Sequence, residues 1–244
     1  KLNISLKKKL IYVLLATVTD VMPLRGINRL LSKNILPKFD INNDYIIKHI
    51  FKLNRINKRL DIEELGFSLG PLFNSAGRIS NANQIVDLLT TNTEYKKKKI
   101  LNKITKINER RKKIEKYHFD KIDLNKLSKE KGIIYFYDSD IPEGIIGILA
   151  SKIKDYFNKP CIVFTNSGKK IKGSARSTFK FNIGEYIQSA IKENIIVSGG
   201  GHNLAAGLVI SKSKLNDLKS FLNNIYNKSY IKQKNTYLSK LSLN

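Results

Sequence analysis

The sequence is poor in cysteine, in acidic residues and in long apolar runs. Cys161 is the one cysteine in 244 residues, which excludes an internal disulfide framework and a cysteine-rich zinc site. No apolar run approaches the ~20 residues that span a bilayer, and no pattern typical of a signal peptide occurs. We therefore expect a cytoplasmic protein that has no membrane partner.

Acidic residues are outnumbered by basic ones, 20 against 45, which gives a net charge of +25. Such an excess is typical of proteins that bind nucleic acid. The abundance of Lys, Asn and Ile and the lack of Trp are also what an AT-rich genome produces whatever the function. Individual arginines are therefore better indicators of function than the total charge.

The first third of the chain has helical patterns and two candidate site residues. An apolar run at positions 10–18 leads to Asp20, a position from which a carboxylate could reach a metal at a sheet edge. A turn or N-cap aspartate is the alternative. Residues 69–79 are rich in Gly, Pro and Asn and predict a loop that ends near Arg78, whose guanidinium suits bidentate phosphate recognition.

A long helix is predicted over residues 95–122, where a narrow apolar seam runs between many lysines and arginines. This pattern is typical of a helix that joins two lobes. After it, strands and helices alternate, which predicts an α/β lobe. The strands are expected at 132–137, at 160–164 and in a segment that ends near 177, and the helices at 144–157, 183–192 and 213–228.

The segment 198–207 reads Ser-Gly-Gly-Gly-His-Asn-Leu-Ala-Ala-Gly and is the clearest candidate for a binding site. Glycines reach positive φ and let a ligand approach the backbone, and a helix that begins at Leu204 would offer its N-terminus to an anion. The prediction is a phosphate-sized pocket with His202 at its mouth. Ser174 and Arg176, at a strand end, could hold the same phosphate. A purely structural glycine-rich turn is the alternative.

Five segments in this order resemble the DHH phosphoesterase superfamily, and within it the bacterial exonucleases specific for single-stranded DNA. The segments are Thr-Val-Thr-Asp-Val-Met-Pro-Leu at 17–24, Gly-Pro-Leu-Phe-Asn-Ser-Ala-Gly-Arg at 70–78, Gly-Ile-Ile-Gly-Ile-Leu-Ala-Ser at 144–151, Gly-Ser-Ala-Arg-Ser at 173–177 and Gly-Gly-Gly-His-Asn-Leu-Ala-Ala-Gly at 199–207.

The resemblance implies an α/β fold with two lobes joined by a long helix. The corresponding ranges are 1–95 for the end of a DHH domain, 96–130 for the connecting helix and 131–228 for a DHH-associated, nucleic-acid-binding domain. Residues 229–244 are expected to be a tail or the start of a further, OB-fold-like domain.

The resemblance also implies roles for individual residues. Asp20 matches a catalytic aspartate that helps to hold manganese or magnesium, and Arg78 matches an arginine that meets a 5′-terminal phosphate. Ser174 and Arg176 match a pair that holds the DNA backbone. His202 matches a histidine that faces the catalytic cleft, and the resemblance implies both a catalytic and a substrate-binding role for it, with Gly200 and Gly201 beside it in the substrate-binding segment.

The function implied is hydrolysis of single-stranded DNA from the 5′ end by metal-activated water, in repair and recombination. Single-strand-binding protein and a helicase are the further partners expected. The family's remaining metal ligands, which include its Asp-His-His motif, are expected upstream of the sequence given. One aspartate cannot hold two ions, so we expect this chain alone not to cleave DNA.

Leu72 and Pro142 depart from the family pattern, in which arginine and histidine are common at these positions. Two alternatives to the exonuclease stay open. One is a phosphodiesterase of the same superfamily that acts on short oligonucleotides. The other is a non-catalytic remnant that only binds nucleic acid.

Overall fold

A computed structural model describes the backbone of residues 9–241 and the side-chain surroundings of residues 9–228. The chain divides into two compact units, residues 1–112 and 113–244. The boundary between them lies within one long helix, Glu94–Asp120. The α/β fold class predicted from the sequence is confirmed. The functional assignment of the four predicted ranges stays a prediction.

The described part of the first unit is helical. Its helices are α1 (Leu10–Thr19), α2 (Gly26–Ile35), α3 (Tyr45–Leu53), α4 (Gly70–Ile79), α5 (Asn83–Thr90) and the first part of α6 (Glu94–Asp120), with short 3₁₀ turns at Leu36–Lys38 and Ile41–Asn43 and a π-helical turn at Glu64–Leu69.

The start of α3 shows how the sequence defines a helix in this unit. The carboxylate of Asp44 accepts hydrogen bonds from the backbone N–H groups of Ile46 and Ile47, both at 3.0 Å, and so caps the first turn. Ile46, Ile47 and Ile50 then recur at helical spacing and are buried in the core. The hydroxyl of Tyr12 donates to the same carboxylate at 2.9 Å, which ties α1 to α3.

The prediction of a loop over residues 69–79 is wrong, because these residues form the end of the π-helical turn and α4. Pro71 stands in the first turn of α4, where its missing N–H costs nothing. A Cβ on Gly70 would overlap the side-chain methyl of Thr19. Gly70 therefore serves the close packing of α4 against the end of α1, and it does not mark a loop.

The second unit is built around one five-stranded sheet. Its strands are β1 (Ile134–Tyr137), β2 (Cys161–Ser167), β3 (Lys170–Arg176), β4 (Ser198–His202) and β5 (Ala205–Ile210), and its helices, besides the end of α6, are α7 (Leu124–Ser128), α8 (Glu143–Phe157), α9 (Ile183–Lys192) and α10 (Leu215–Leu241). The strand order is β1-β2-β3-β5-β4, with β1 and β2 parallel and the other neighbours antiparallel.

Helices cover the two faces of this sheet unequally. Alternate residues of the strands, such as Phe164, Ile171 and Leu208, enter a core completed by α9 and α10. On the opposite face α8 packs against β2 and β3. The surface of β5 and β4 on that second face includes the exposed Gly207, and the candidate site lies there.

The backbone of α10 continues through most of the predicted tail, as far as Leu241. The side chains of residues 229–241, and all of residues 242–244, lie outside the described part of the chain. The expectation of a further domain there stays a prediction. Within residues 9–241, no helix combines the length and the apolar character that crossing a membrane requires.

Candidate functional site

Strand β3 places Ser174 and Arg176 on the same face of the sheet, because successive side chains of a strand alternate. Ala175, which lies between them, and Ile171, nearer the start of the strand, enter the core on the opposite face. Ser174 pairs with Gly207 of β5, and Arg176 pairs with Ala205. Directly opposed residues of an antiparallel pair point to the same side.

Strand β4 adds one residue to each of these two pairs, so that each becomes a row of three residues across the sheet. Gly200 pairs with Gly207, and His202 pairs with Ala205. One row therefore runs Ser174, Gly207, Gly200, and the other runs Arg176, Ala205, His202. We call these six residues the site face. The structure thus brings together four of the residues singled out in the sequence, which are Ser174, Arg176, Gly200 and His202.

Arg176 is held in place by its neighbours. Its Nε donates to the hydroxyl of Ser151 in α8 at 3.2 Å, and its Nη1 donates to the carbonyl of Ala175 at 3.0 Å. Gly147, one turn earlier in α8, leaves room for the site: a Cβ there would lie 3.1 Å from Ser174 Oγ and 3.2 Å from Arg176 Nη2. Gly147 and Ser151 belong to a segment noted in the sequence, but their role in positioning Arg176 depends on tertiary packing.

The charge of Arg176 has no acidic partner among the described residues. Burial lowers the pKa of this guanidinium, although an arginine keeps its proton in proteins. Two hydrogen bonds to neutral groups use two of its five N–H donors. A half-buried cation without a counter-charge is costly for a fold, so Arg176 is well suited to receive an anion from outside.

His202 is exposed at the end of β4. Its ring Nδ1 accepts a long hydrogen bond, 3.4 Å, from the backbone N–H of Leu204. In the neutral ring this leaves the proton on Nε2, where it can be donated to a ligand. The backbone of His202 packs closely against the first turn of α9, where a Cβ on Gly184 would lie 2.7 Å from the His202 carbonyl oxygen.

The predicted pocket at a helix N-terminus is wrong, because the segment that contains the glycine triplet folds as a β-hairpin. Residues 198–202 form β4, and β5 begins at Ala205, so no helix begins at Leu204. The glycines of the triplet also do not have positive φ. A helix dipole therefore does not support the anion binding predicted for this segment.

Two glycines of the triplet are required by packing within the protein. A Cβ on Gly201 would overlap Ala205 and Ala206, and a Cβ on Gly199 would lie 2.7 Å from the carbonyl oxygen of Gly207. Gly201 points away from the site face, so the structure does not place it among the predicted substrate contacts. Its role in substrate binding stays a prediction, and packing explains its presence.

Gly207 and Gly200 differ from the other two glycines. A Cβ on Gly207 would meet nothing within 4 Å, and one on Gly200 would make only ordinary contact, at 3.5 Å, with Gln188. Space in the protein therefore does not demand glycine at either position. Both lie in the row of Ser174, where the lack of side chains leaves flat, open backbone beside a hydroxyl.

The two predicted site residues of the first unit lie on helices. Asp20 is exposed and ends α1, so the predicted sheet edge at Asp20 is wrong for the described part of this unit. Arg78 is half-buried in the last turn of α4 and interacts with neighbouring groups. The π-helical turn before α4 is a feature that occurs frequently at functional sites.

The described residues do not provide a complete metal site. Among them, no group of three or more His, Cys, Asp and Glu side chains is arranged to hold an ion. Asp20 alone offers one carboxylate, too few ligands for the manganese or magnesium that the resemblance implies. No hydrolytic step is therefore assigned to these residues.

Comparison with known proteins agrees with this architecture. Residues 130–228 match the DHHA1 domain family. The chain is 32% identical over 222 residues to the single-stranded-DNA-specific exonuclease RecJ of Haemophilus influenzae, and 31% identical over 216 residues to that of Bacillus subtilis. Both alignments cover 86% of this chain, but they cover only 39% and 27% of those relatives.

The fold has also been seen in crystal structures. RecJ of Thermus thermophilus in complex with Mn²⁺ superposes with a TM-score of 0.80 at 24% identity, and the match covers 91% of this chain and 33% of that protein. The Mg²⁺ complex gives a TM-score of 0.77 at 23% identity. At this identity the match shows the fold alone. The curated relatives show that this chain is similar to the RecJ exonucleases over most of its own length, and residues 130–228 match the DHHA1 domain family.

Proposed function

We propose that the chain supplies the strand-binding part of a single-stranded-DNA 5′ to 3′ exonuclease of repair and recombination. The observation that carries the proposal is Arg176, a half-buried cation that has no acidic partner among the described residues and stands on an open sheet face. The relatives named above are exonucleases specific for single-stranded DNA, which supports a DNA strand as the anion that Arg176 receives.

In this proposal the site face binds the sugar–phosphate backbone. The guanidinium of Arg176 and the hydroxyl of Ser174 hold one phosphate, because both point from the same strand at a spacing of two residues. Gly207 and Gly200 let the strand approach the sheet closely. His202 donates from Nε2 to a neighbouring phosphate oxygen. These contacts position a strand but do not read its sequence.

Cleavage requires more than the described residues provide. Arg78 would bind the 5′-terminal phosphate, and Asp20 would contribute one carboxylate to a manganese or magnesium ion, which would supply the activated water when bound. The described residues offer no further cluster of ligands. A cytoplasmic location and contacts with single-strand-binding protein and a helicase belong to the same proposal.

Removal of the guanidinium tests the proposal. We expect Arg176→Ala to weaken binding to oligo(dT) by roughly 10- to 100-fold, because a charge-assisted hydrogen bond is worth about 1.5–3 kcal/mol. The slope of log K against log salt should become shallower by about one. Fluorescence anisotropy at several salt concentrations measures both quantities, and the midpoint of urea unfolding checks that the variant folds.

Lys170→Ala is the matched control, because it removes one positive charge from the exposed start of the same strand. It should change the affinity by less than about threefold. Arg176→Lys keeps the charge but loses the forked geometry, so we expect intermediate binding. If Arg176→Ala and Lys170→Ala have the same affinity and the same salt slope, attraction by the overall charge explains binding, and the proposed site is wrong.

A further inference from the structure

Phe179 is the most exposed large apolar residue of the chain's described part, with 94% of its surface accessible to water. It follows Arg176 by three residues, in the loop between β3 and α9. The site face does not include it, and neither the sequence motifs nor the strand pairing assign it a role. An aromatic ring in water has none of the stabilisation that burial of apolar surface provides. A ligand or partner that covers the ring of Phe179 would therefore bind favourably.

The loop that presents Phe179 is anchored at both ends. The backbone N–H of Ser177 donates to the carbonyl of Leu204 at 2.8 Å, and the N–H of Ile183 donates to that of Asn203 at 3.2 Å. Both acceptors are the turn residues of the β4–β5 hairpin, next to His202. The loop is therefore tied directly to the segment that forms one end of the site face.

Within the loop, a tight turn places Phe179 at its tip. The N–H of Phe181 donates to the carbonyl of Thr178 at 3.1 Å, so Phe179 is the first of the two central residues of a turn. The hydroxyl of Ser177 donates to the carbonyl of Phe181 at 2.7 Å and closes the base of the loop. Phe181 itself is buried in the core. These contacts hold the backbone under Phe179 and leave its ring free.

The distance from Arg176 limits what the ring can contact. Three residues of extended chain span at most about 11 Å, which corresponds to about three nucleotides of a stacked strand at ~3.4 Å each. A strand whose phosphate lies on Arg176 therefore brings a base of the same or a nearby nucleotide within reach of the ring. Aromatic side chains stack on any base, which suits a site that does not read sequence.

We propose that Phe179 is a stacking residue for a base of the bound single strand, next to the phosphate held by Arg176. The inference rests on the proposed function and extends it: the site face binds the backbone, and Phe179 binds a base. Stacking on Phe179 makes the site specific for strands whose bases are unpaired, because the faces of bases inside a duplex are already stacked.

The absence of tryptophan from the chain allows a direct test. In the variant Phe179→Trp the new indole is the only one, and stacking on a base quenches its fluorescence. We expect quenching by oligo(dT) but not by an abasic oligonucleotide of the same length, which has the same backbone without bases. Tyr95→Trp is the matched control, because Tyr95 is 78% exposed and lies in the other unit. Its fluorescence should change with neither strand.

Affinities provide the second measurement. Phe179→Ala should bind oligo(dT) about tenfold more weakly than the unchanged protein, because one stacked base contributes about 1–3 kcal/mol. The salt slope should stay the same, since the ring has no charge. Phe179→Tyr should restore binding, and Phe179→Leu should not. Because the ring is exposed, all four Phe179 variants should keep the urea midpoint of the unchanged protein.

The abasic strand separates the two proposals. If the unchanged protein binds it in a manner that depends on Arg176, but Phe179→Ala binds oligo(dT) as well as the unchanged protein does, the stacking proposal alone is wrong. If Arg176→Ala binds the abasic strand as tightly as the unchanged protein does, the proposed function itself is wrong. If Phe179→Ala instead changes only the sedimentation coefficient of the protein, the ring is covered by another protein surface, and the stacking proposal is again wrong.

Discussion

Two cations in the two units of this chain have opposite surroundings. In the first unit, Lys58 Nζ lies 2.9 Å from Glu64, 3.3 Å from Asp61 and 3.6 Å from Glu63. The hydrogen bond to Glu64 is the main reason that the pKa of Lys58 is raised. In the second unit, Arg176 is more deeply buried but forms hydrogen bonds only with a hydroxyl and a carbonyl group. We call Lys58 and its three carboxylates the Lys58 cluster.

The difference distinguishes a structural charge from one that is available to a ligand. Within the Lys58 cluster three carboxylates surround the one cation, and the buried Glu64 also accepts a hydrogen bond from Ser68. The positive charge of Lys58 is therefore already paired with acidic groups of the protein. At Arg176 the protein fixes the guanidinium but does not neutralise it. In a chain of net charge +25, the local surroundings of a cation are more informative than the number of cations.

We expect the largest effect from two glycine substitutions in the β4–β5 hairpin, one at a glycine required by packing and one at a glycine of the site face. Gly201→Ala should destabilise the protein by about 2–4 kcal/mol, because its Cβ overlaps Ala205 and Ala206 in the paired strand. Gly207→Ala should change stability by less than about 0.5 kcal/mol, because its Cβ has free space. Urea unfolding followed by circular dichroism measures both.

The same pair separates packing from ligand approach. Gly207→Ala should weaken oligo(dT) binding severalfold while it leaves the fold intact, since the new methyl group stands where the strand approaches the sheet. If Gly207→Ala binds as tightly as the unchanged protein, the strand does not lie on the row of Ser174. In that case Arg176 receives its anion from another direction.

The second prediction tests the Lys58 cluster. Glu64→Ala removes the hydrogen-bond acceptor of Ser68 and one counter-charge of Lys58, and we expect a loss of about 1–3 kcal/mol in the free energy of unfolding. Binding of oligo(dT) should stay within about twofold of the original value. A large change in DNA affinity with little change in stability would mean that this cluster, too, serves a ligand.

The sequence predicted those elements that depend on local pattern. The observed bounds of α9, Ile183–Lys192, are those predicted, and α6 at Glu94–Asp120 lies within two residues of the predicted 95–122. In both, apolar residues recur at helical spacing and polar residues fill the remainder. The sequence also predicts that Ser174 and Arg176 act as a pair, because the small residues around them leave both side chains exposed at a strand end.

The elements that sequence reasoning missed depend on distant contacts. Gly70 suggested a loop, but it is the residue that lets α4 pack against Thr19 of α1. The glycine triplet has a low strand propensity, and it becomes a strand because β5 pairs with it and Ile187 packs on Gly199. No local pattern shows that Arg176 lacks an acidic neighbour. The most informative feature of the site is therefore one that only the fold reveals.

The smallest effect is expected at the pair of His118 and Asp138, which extends the comparison to a partnered charge within the second unit. His118 of α6 is buried, and its Nδ1 lies 3.1 Å from a carboxylate oxygen of Asp138, just after β1. Burial by itself would raise the pKa of Asp138. The hydrogen bonds from the Asp140 N–H and from His118, with the charges of His118 and Lys121, lower that pKa overall.

A carboxyl group whose pKa is lower in the folded state stabilises the protein above its unfolded pKa of about 3.9, and this contribution is lost as the pH falls through the folded value. Asp138→Asn should therefore be less stable than the unchanged protein at pH 7, and the difference should shrink below about pH 4. Urea unfolding between pH 3 and pH 7 measures it, with Asp140→Asn at an exposed position as the control. If the difference is the same at both ends of this range, the ionised carboxylate of Asp138 contributes nothing. The contrast between Arg176 and partnered charges would then not extend to the pair of His118 and Asp138.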